Sequence, residues 1–250
     1  YWTTRTEGYS EVNQKELEGT QKEAWLSVLT EQFPEGDKDR IRILDVGCGP
    51  GFFPRILAEA GYWVTAVDYT PQMLKKAAEN AGMYRERITF LRMDAQNLEF
   101  PDGTFDVVIS RNLTWNLEHP EQAYREWHRV LRPGGILLNF DANWYGYLYD
   151  EEKREAYEQD RKNVESQSLE DHYLCTDIDA MERIARKVPL SHITRPQWDT
   201  EVMEETGFEE ISWDTDVWKR VWSEEERLNY ASTPMFMVTG RKNTERLGQK

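Results

Sequence analysis

The hydrophobic and polar positions of this chain follow two alternating patterns. Short apolar runs bounded by Gly, Asp or Pro predict strands, whereas segments with apolar residues every three or four positions predict helices with one buried face. Strands are predicted at 41–47, 63–68, 88–94 and 105–111, and 132–141 is predicted to be a turn at 132–135 that leads into a fifth strand. Helices are predicted between the strands at 54–61, 71–82 and 119–131. Strands that alternate with helices pair in parallel, because each helix returns the chain along one face of the sheet.

Further elements are predicted on both sides of this alternating region. A leading helix is expected over residues 14–33. After Asp141 the alternation stops for about 55 residues, which is too long for a plain loop in a compact domain. Helical spacing at 151–165 and 177–188 predicts a helical insertion there. The remaining predictions are a helix at 196–207 and strands at 208–214 and 235–242. The last residues, 241–250, are expected to be a frayed tail.

The predicted fold class is therefore α/β, with a Rossmann-like sheet of seven mostly parallel strands, flanking helices and a helical cap insertion before the last strands. The whole chain, 1–250, is expected to form a single domain. Its parts are an N-terminal helical segment (1–40), a ligand-binding core (41–141), a helical substrate cap (142–195) and the C-terminal strands (196–242).

Composition narrows the functional classes. The chain has 250 residues with 31 Lys and Arg against 46 Asp and Glu, a net charge of −15, and 39% hydrophobic residues, which is enough for a core. The acidic balance argues against nucleic acid or an anionic membrane as a partner. No apolar run is long enough for a transmembrane helix, and the two cysteines, Cys48 and Cys175, suit a reducing compartment. We expect a cytoplasmic protein.

A glycine-rich loop carries the sharpest local signal. In LDVGCGPG, Gly47, Gly49 and Gly51 lie between a predicted strand and a predicted helix, where glycine lets the backbone approach a ligand closely. The loop differs from the dinucleotide fingerprint, because Phe52 stands where that motif needs a third glycine. Asp45 precedes the loop and disfavours a phosphate, so the pattern favours a cationic ligand.

Two more aspartates follow the next strands. Asp68 ends the second predicted strand, where a carboxylate can accept hydrogen bonds from a ribose diol. Asp94 ends the third strand, where a carboxylate can accept from the exocyclic amine of adenine. Each alone is compatible with an ordinary strand end, but three aspartates at successive strand ends, on the edge where such sheets bind ligands, predict a nucleoside site.

These motifs resemble a known family. LDVGCGPG, VDYTPQML, MDAQNLEFPDGTFDVVIS and RVLRPGGILL, in this order and spacing, resemble the class I S-adenosylmethionine-dependent methyltransferases, and most of all their small-molecule, type 11 branch. The resemblance covers about residues 41–141 and, weakly, the last strands. It implies S-adenosyl-L-methionine as cofactor and S-adenosyl-L-homocysteine as product.

The resemblance also implies a set of cofactor contacts. The loop glycines pass close to the methionine part of the cofactor. Asp45 contacts its ammonium group, Asp68 binds the ribose hydroxyls, and Asp94 with Ala95 contacts the amino edge of the adenine. Tyr69 and Met73 flank the adenine, Arg111 and Asn112 border the methionine part and the acceptor, and a tyrosine folds over the cofactor. The implied cofactor residues are Tyr9, Asp45, Gly47, Gly49, Gly51, Asp68, Tyr69, Met73, Asp94, Ala95, Arg111 and Asn112.

Methyl transfer from a sulfonium needs alignment and exclusion of water more than it needs a base. A thiolate, or an amine that is neutral at the working pH, needs no base, whereas a hydroxyl acceptor needs a positioned one. Two residues are candidate bases because of their location: His119 after the fourth strand and Asp141 at the end of the fifth. His119 is also explained as a helix cap or a surface residue. Four scattered histidines and two cysteines show no metal-ligand spacing, so no metal is expected.

Aromatic residues gather near the same strand ends. They either line an acceptor pocket or anchor the insertion on the sheet, and both interpretations remain open. The candidate substrate-binding residues are Trp115, Asn116, Trp144, Tyr145 and His172.

The sequence therefore predicts methyl transfer to a small molecule by a monomer or homodimer. The alternatives are a methyltransferase for protein or RNA, a non-catalytic sensor of S-adenosylmethionine and, with least support, a nicotinamide dehydrogenase.

Overall fold

One mixed sheet organises the fold in the computed structural model, which describes residues 1–173 and 177–244. Its strand order is β3-β2-β1-β4-β5-β7-β6, and β7 is antiparallel to both of its neighbours while the other strands run parallel. This confirms the predicted Rossmann-like sheet of seven mostly parallel strands. The strands are β1 (Arg42–Val46), β2 (Trp63–Asp68), β3 (Ile88–Arg92), β4 (Phe105–Arg111), β5 (Leu131–Asp141), β6 (Phe208–Asp214) and β7 (Phe236–Lys242).

Helices cover both faces of this sheet. They are α1 (Trp2–Glu18), α2 (Gln21–Thr30), α3 (Phe52–Glu59), α4 (Pro71–Asn80), α5 (Pro120–Val130), α6 (Glu151–Ser166), α7 (Ile178–Ala185), α8 (Gln197–Thr206), α9 (Trp218–Val221) and α10 (Glu224–Asn229). None of the described helices combines the length and the apolar character needed to cross a membrane.

Alternating side chains of the strands feed two separate cores. Ile43 points to the core that contains Trp25 of α2 and Phe53 of α3, whereas the next residue, Leu44, points to the core that contains Trp127 of α5. Successive side chains of a strand face opposite sides of the sheet, so continuous apolar runs are buried on both faces. The carboxyl ends of the parallel strands are then left free to build a site.

The N-terminal segment differs from its prediction. The single helix expected over 14–33 is wrong: α1 begins at Trp2, and α2 ends at Thr30. Gly19 separates the two helices in an extended conformation, with φ −90° and ψ −176°. The buried face of α1 carries Thr6, Ser10, Asn13 and Glu16, so an apolar periodicity could not reveal it.

The predicted turn at Arg132–Gly135 is a bulge inside β5. Phe105 pairs with Leu131, whereas Val107 pairs with Ile136, so β5 carries extra residues between these two pairs. Gly134 takes φ +78°, which a side chain would resist. The strand therefore begins at Leu131 rather than after the glycines.

The insertion contains helices at the expected places, α6 and α7. Its aromatic residues form one cluster with Trp115 and with the start of α1. The connection between β6 and β7, for which the sequence predicted no element, contains α9 and α10. Cys175 and residues 245–250 of the predicted frayed tail lie outside the described residues.

Candidate functional site

Two adjoining cavities lie at the carboxyl ends of the parallel strands. The first cavity, of about 440 Å³, follows the ends of β1, β2 and β3, and the second cavity, of about 350 Å³, lies between α1, α10 and the insertion. Both volumes fall in the range of small-molecule sites. Tyr9, Asn13, Arg111 and Asn112 line both cavities. These four residues form the junction between the two cavities.

The three glycines of the loop have different roles. A Cβ on Gly47 would lie 2.8 Å from Leu113 Cδ2, and a Cβ on Gly51 would lie 2.9 Å from Ala77 Cβ. Gly49 has φ +52°, and the direction of its missing Cβ is open for 4 Å into the first cavity. The expected contact of Gly51 with the cofactor is corrected, because Gly51 packs on α4 and does not line the cavity.

Asp45 contributes a buried carboxyl group to the first cavity. It is 3% exposed. Burial raises its pKa to about 8, the nearby Arg111 guanidinium opposes that rise, and the negative charge of Asp68 adds to it. A carboxyl group in this state is destabilised as an anion until a cation binds beside it.

Asp68 is held by two backbone groups at the end of β2. Its Oδ2 accepts from the Gly49 N–H at 3.0 Å, and its Oδ1 accepts from the Thr70 N–H at 2.8 Å. Burial raises the pKa of Asp68, while these two bonds oppose the rise. Each oxygen retains a lone pair, so a ligand diol has two acceptors fixed in place.

The part of the first cavity that follows β2 and β3 is lined by one exposed aromatic ring and one buried apolar side chain. Tyr69 is 66% exposed, with the Arg92 guanidinium carbon 5.4 Å from its ring centre, whereas Met73 is buried. Asp94 and Ala95 also line this end. Asp94 lies two residues beyond β3, and its Oδ1 accepts from the Gln96 N–H at 2.9 Å. Tyr69 and Met73 thus bring an aromatic ring and an apolar side chain to the cavity, and both suit contact with a planar ring.

Arg111 ties the end of β4 to α1. Its guanidinium donates to Glu16 through two nitrogens, at 2.7 and 3.1 Å. The guanidinium carbon also lies 5.1 Å from the ring centre of Trp25 and 4.8 Å from that of Phe52. A paired and stacked guanidinium is a rigid wall rather than a mobile ligand clamp.

Asn112 and Asn13 bring uncommitted amide groups to the junction. Asn112 takes φ +56°, and its Oδ1 is buried without a hydrogen bond to the described residues. A non-glycine residue at positive φ is strained by about 1–3 kcal/mol and concentrates at functional sites. Asn13 of α1 is 4% exposed, and its side chain forms no hydrogen bond with the described part of the chain. Both amides are available to a ligand.

An aromatic wall bounds the second cavity. Trp115 is 6% exposed, and its ring centre lies 4.9 Å from that of Tyr145. Trp144 meets Tyr230 edge to face at 5.3 Å. Of the expected substrate residues, Trp115, Trp144, Tyr145 and His172 line this cavity, whereas Asn116 lines the first cavity instead.

His172 lies at the rim of the second cavity. Its Nδ1 is 3.2 Å from the Tyr230 hydroxyl, and its Nε2 is 3.1 Å from Glu225 Oε1. Glu170 completes a group whose ligand-type atoms lie within 4.8 Å of one another. The Lys15 ammonium is 3.2 Å from Glu170 Oε2, so a positive charge already occupies this group. The arrangement is a hydrogen-bonded ion cluster.

Neither candidate base lines either cavity. Asp141 is fully buried: its Oδ2 accepts from Arg195 Nη1 at 2.7 Å and from the Trp115 N–H at 2.8 Å. Its Oδ1 accepts from Trp144 Nε1 at 3.0 Å. His119 is exposed before α5, and its side chain makes no capping bond. The expected contacts with the acceptor are corrected: Asp141 positions two tryptophans, and His119 is a surface residue.

Sequence reasoning missed the residues that α1 and α10 bring to the site. Trp2 and Asn13 line the first cavity, and Glu225 and Glu226 line the second. A capping box at Ser223 and Glu226, with the S-x-x-E pattern, could have revealed α10. For α1 no local signal existed, because its inward face is polar.

The first cavity fits S-adenosylmethionine on three independent observations. The open direction of Gly49 leaves space beside the loop backbone, the buried carboxyl of Asp45 lacks a cation of its own, and Asp68 offers fixed acceptors for a diol. These three features would contact the methionine part of the cofactor, its ammonium group and its ribose diol, respectively.

Comparison with known proteins agrees with this geometry. A family described as "Methyltransferase domain" matches residues 44–139. The chain is 42% identical over 104 residues to a 2-methyl-6-phytyl-1,4-hydroquinone methyltransferase of Synechocystis sp., covering 40% of this chain and 32% of that protein. It is 37% identical over 116 residues to a phosphatidylethanolamine N-methyltransferase of Cereibacter sphaeroides, covering 45% and 57%.

Structural similarity extends beyond the matched segment. The phosphoethanolamine N-methyltransferase 2 of Haemonchus contortus, in complex with S-adenosyl-L-methionine, has a TM-score of 0.60 at 20% identity and covers 87% of this chain and 52% of that one. The chain spans about half or less of the length of the first curated relatives that it matches. Residues 44–139 of this chain thus match a methyltransferase domain, and 87% of the chain shares the fold of a methyltransferase that binds S-adenosyl-L-methionine.

Proposed function

We propose that this chain transfers the methyl group of S-adenosylmethionine to a small-molecule acceptor. The observation that carries the proposal is the pair of adjoining cavities with four shared residues at their junction. The first cavity fits the cofactor, and the second, enclosed by aromatic side chains, has the size of a small acceptor. The two reacting groups would then meet at Tyr9, Asn13, Arg111 and Asn112.

The residues of the first cavity hold and orient. When bound, the cofactor supplies an electrophilic methyl group on a sulfonium. Asp45 pairs with the ammonium of the methionine part, Asp68 accepts from the ribose hydroxyls, and Gly49 leaves the backbone bare where the ligand passes. Asp94 with Ala95 reads the adenine edge, between Tyr69 and Met73. We assign these roles from the geometry of the cavity.

Catalysis would come from alignment and exclusion of water. The rigid Arg111–Glu16 pair and Asn112 border the path of the methyl group, and Trp115 closes the acceptor side. Fixing both reactants in line replaces a bimolecular encounter with an oriented one, which is the main contribution available to such a displacement. No base has to be invoked for an acceptor that carries its own lone pair.

The lining of the second cavity favours a small acceptor over a macromolecule. A protein or RNA substrate would call for an exposed basic groove near Trp115, but this tryptophan is 6% exposed and the cavity that it lines has more glutamates than cationic side chains. Residues 142–195 contribute Trp144, Tyr145 and His172 to this cavity, which supports their role as a substrate cap. The two relatives have different acceptors in their names, so similarity to them does not decide the class of acceptor.

A matched pair of glycine substitutions tests the cofactor assignment. Gly49 and Gly82 share φ +52° and open space around the missing Cβ, but Gly82 lines neither cavity. Gly49→Ala and Gly82→Ala should each cost about 1–2 kcal/mol of folding stability through the left-handed backbone. Calorimetry should show S-adenosylhomocysteine binding weakened by about tenfold or more in Gly49→Ala alone. Equal affinities in both variants would contradict the assignment.

Turnover is tested with methyl-labelled S-adenosylmethionine and a cell extract separated into small-molecule, protein and RNA fractions. We expect the label in the small-molecule fraction. Label in protein or RNA would instead identify a macromolecular acceptor. Cofactor binding without label in any fraction would identify a sensor.

A further inference from the structure

The second cavity carries more negative than positive side chains. Its three cationic residues are Arg5, Lys15 and Arg111, and its five acidic residues are Glu11, Glu16, Glu170, Glu225 and Glu226. Two of the cations are already committed, since Arg111 pairs with Glu16 and Lys15 pairs with Glu170. The cavity therefore keeps an excess of carboxylates next to the junction with the first cavity.

Glu226 is a partly buried carboxylate of this excess. Three neutral donors bind it, all at Oε2: Gln21 Nε2 at 2.7 Å, the Ser223 N–H at 2.8 Å and the Ser223 hydroxyl at 2.9 Å. No cation of the described residues lies within 4.0 Å of it. Burial raises the pKa of Glu226 and the charge of Glu16 adds to that rise, whereas the Ser223 hydrogen bonds and the more distant charge of Arg111 oppose it. Its Oε1 keeps its hydrogen-bonding capacity for a ligand.

Two further features of the cavity suit a cation with N–H donors. The side-chain amide of Asn13, buried at the junction, offers an oxygen with no partner among the described residues. The aromatic wall of Trp115, Tyr145 and Trp144 presents ring faces and edges around the same space. Ring faces attract ammonium groups, and the attraction grows when water is excluded.

We propose that the acceptor is an amine that enters the second cavity as an ammonium ion and is methylated on nitrogen. This inference rests on the proposed function and adds the class of acceptor to it. Glu226 and Asn13 bind the N–H groups, and the aromatic wall surrounds the substituent. An anionic acceptor such as a carboxylate would enter against the unpaired glutamates, at a cost that burial increases.

The reaction balances with the groups on hand. The ammonium gives one proton to a cavity carboxylate, for which Glu226 is positioned, and becomes a neutral amine with a lone pair. The nitrogen then forms the N–C bond while the C–S bond breaks, and that electron pair stays on sulfur as a neutral thioether. The product is a methylated ammonium ion, and the proton on Glu226 leaves to solvent.

Matched probes test this charge preference directly. The probes are 2-phenylethylamine, tryptamine and butylamine, each compared with the alcohol and the carboxylate of the same framework, in the presence of S-adenosylhomocysteine. We expect at least one amine to bind about tenfold or more tightly than its alcohol, and the carboxylates to bind least. Equal affinity across a framework, a preference for alcohols or carboxylates, or no amine binding at millimolar concentration overturns the inference.

Two substitutions on α10 separate binding from folding. Glu226→Gln keeps a side chain that can complete the capping box, and it should weaken amine binding about fivefold or more without changing the alcohol or cofactor affinity. Glu224→Gln, exposed on the same helix, should change none of them. An unchanged amine affinity in Glu226→Gln removes the role of this glutamate and with it the inference.

Methyl transfer separates the inference from the function on which it rests. With labelled S-adenosylmethionine, the label on nitrogen of an amine supports both. Transfer to an alcohol or a carboxylate leaves the proposed function intact and overturns the amine. Failure of S-adenosylhomocysteine to bind defeats the proposed function itself.

Discussion

At the scale of a single residue, we expect Asp45 to couple cofactor binding to the release of a proton. Burial raises its pKa to about 8, so at pH 7 about nine tenths of the ligand-free molecules carry it protonated. An ammonium can pair only with the ionised form, so binding lowers this pKa and releases a proton. We expect close to one proton released by Asp45 at pH 7 and almost none above pH 9. Cofactor affinity should rise with pH up to about 8.

Calorimetry in buffers of different ionisation enthalpy measures this release. Asp45→Asn is the control, because it keeps the shape and removes the titration. The difference in protons released between the two proteins is the contribution of Asp45, whatever the cofactor's own amine does. A difference near zero at pH 7 would place the ammonium elsewhere.

Local motifs made one part of the site predictable. Gly49 and Asp68 lie in or directly after strands whose apolar runs are unambiguous, and the Gly49 N–H bonds to Asp68 itself. The parallel sheet then carries both to one edge. Asn13 and Glu226 could not be predicted in this way, because they reach the second cavity only through the packing of α1 and α10. Nothing in their local sequence reports that packing.

At the scale of elements, Asp141 joins β5 to α8. Arg195 donates to Asp141 at 2.7 Å and to Asp199 of α8 at 2.6 Å, with all three side chains buried. Asp141 also accepts from the Trp115 N–H. The location of Asp141 at a strand end suggested a base, but its carboxylate is bound by these donors. It holds Trp115 and Trp144, which line the second cavity.

Asp141→Asn should destabilise the fold. Removing one member of a buried ion pair leaves the charge of its partner less compensated. We expect the free energy of unfolding to fall by about 3 kcal/mol. This is the low end of the usual cost, because Arg195 keeps its pair with Asp199. Chemical denaturation measures this loss. Asp39→Asn is the matched control, since Asp39 also accepts from an arginine and a tryptophan Nε1 but is exposed, so solvent screens the pair.

Activity distinguishes a structural role from a catalytic one for Asp141. If it positions the tryptophans, the folded fraction of Asp141→Asn should show a raised acceptor KM with cofactor affinity nearly unchanged. A loss of kcat alone, with normal stability, would restore the interpretation as a base.

At the scale of the whole molecule, negative charge gathers where two cations are expected to meet. The chain carries a net charge of −15, and carboxyl groups line both cavities. A negative potential inside a concave site raises the local concentration of cationic ligands. The same field would attract both the sulfonium cofactor and the proposed ammonium acceptor.

The arrangement of α1 over the first cavity has a consequence for the motion of the molecule. Trp2 and Leu17 pack on hydrophobic clusters near its two ends. The inward face between them is polar, with Thr6, Ser10 and Asn13 buried, so little apolar area holds the middle of the helix down. Its contacts with α4 include the bond from Asn80 Nδ2 to Ser10 Oγ at 3.1 Å. Because α1 lines the junction, we expect it to open for entry and to be held closed by ligand.

Hydrogen exchange tests this closure. At S-adenosylhomocysteine concentrations 100 times Kd, amides of Trp2–Glu18 should exchange up to about 100-fold more slowly than in the free protein, if their opening requires ligand release. Helix Glu151–Ser166, which lines neither cavity, is the internal control and should keep its rate. Equal rates in α1 with and without ligand would mean that the helix moves independently of the cavity it covers, and that cofactor entry follows another path.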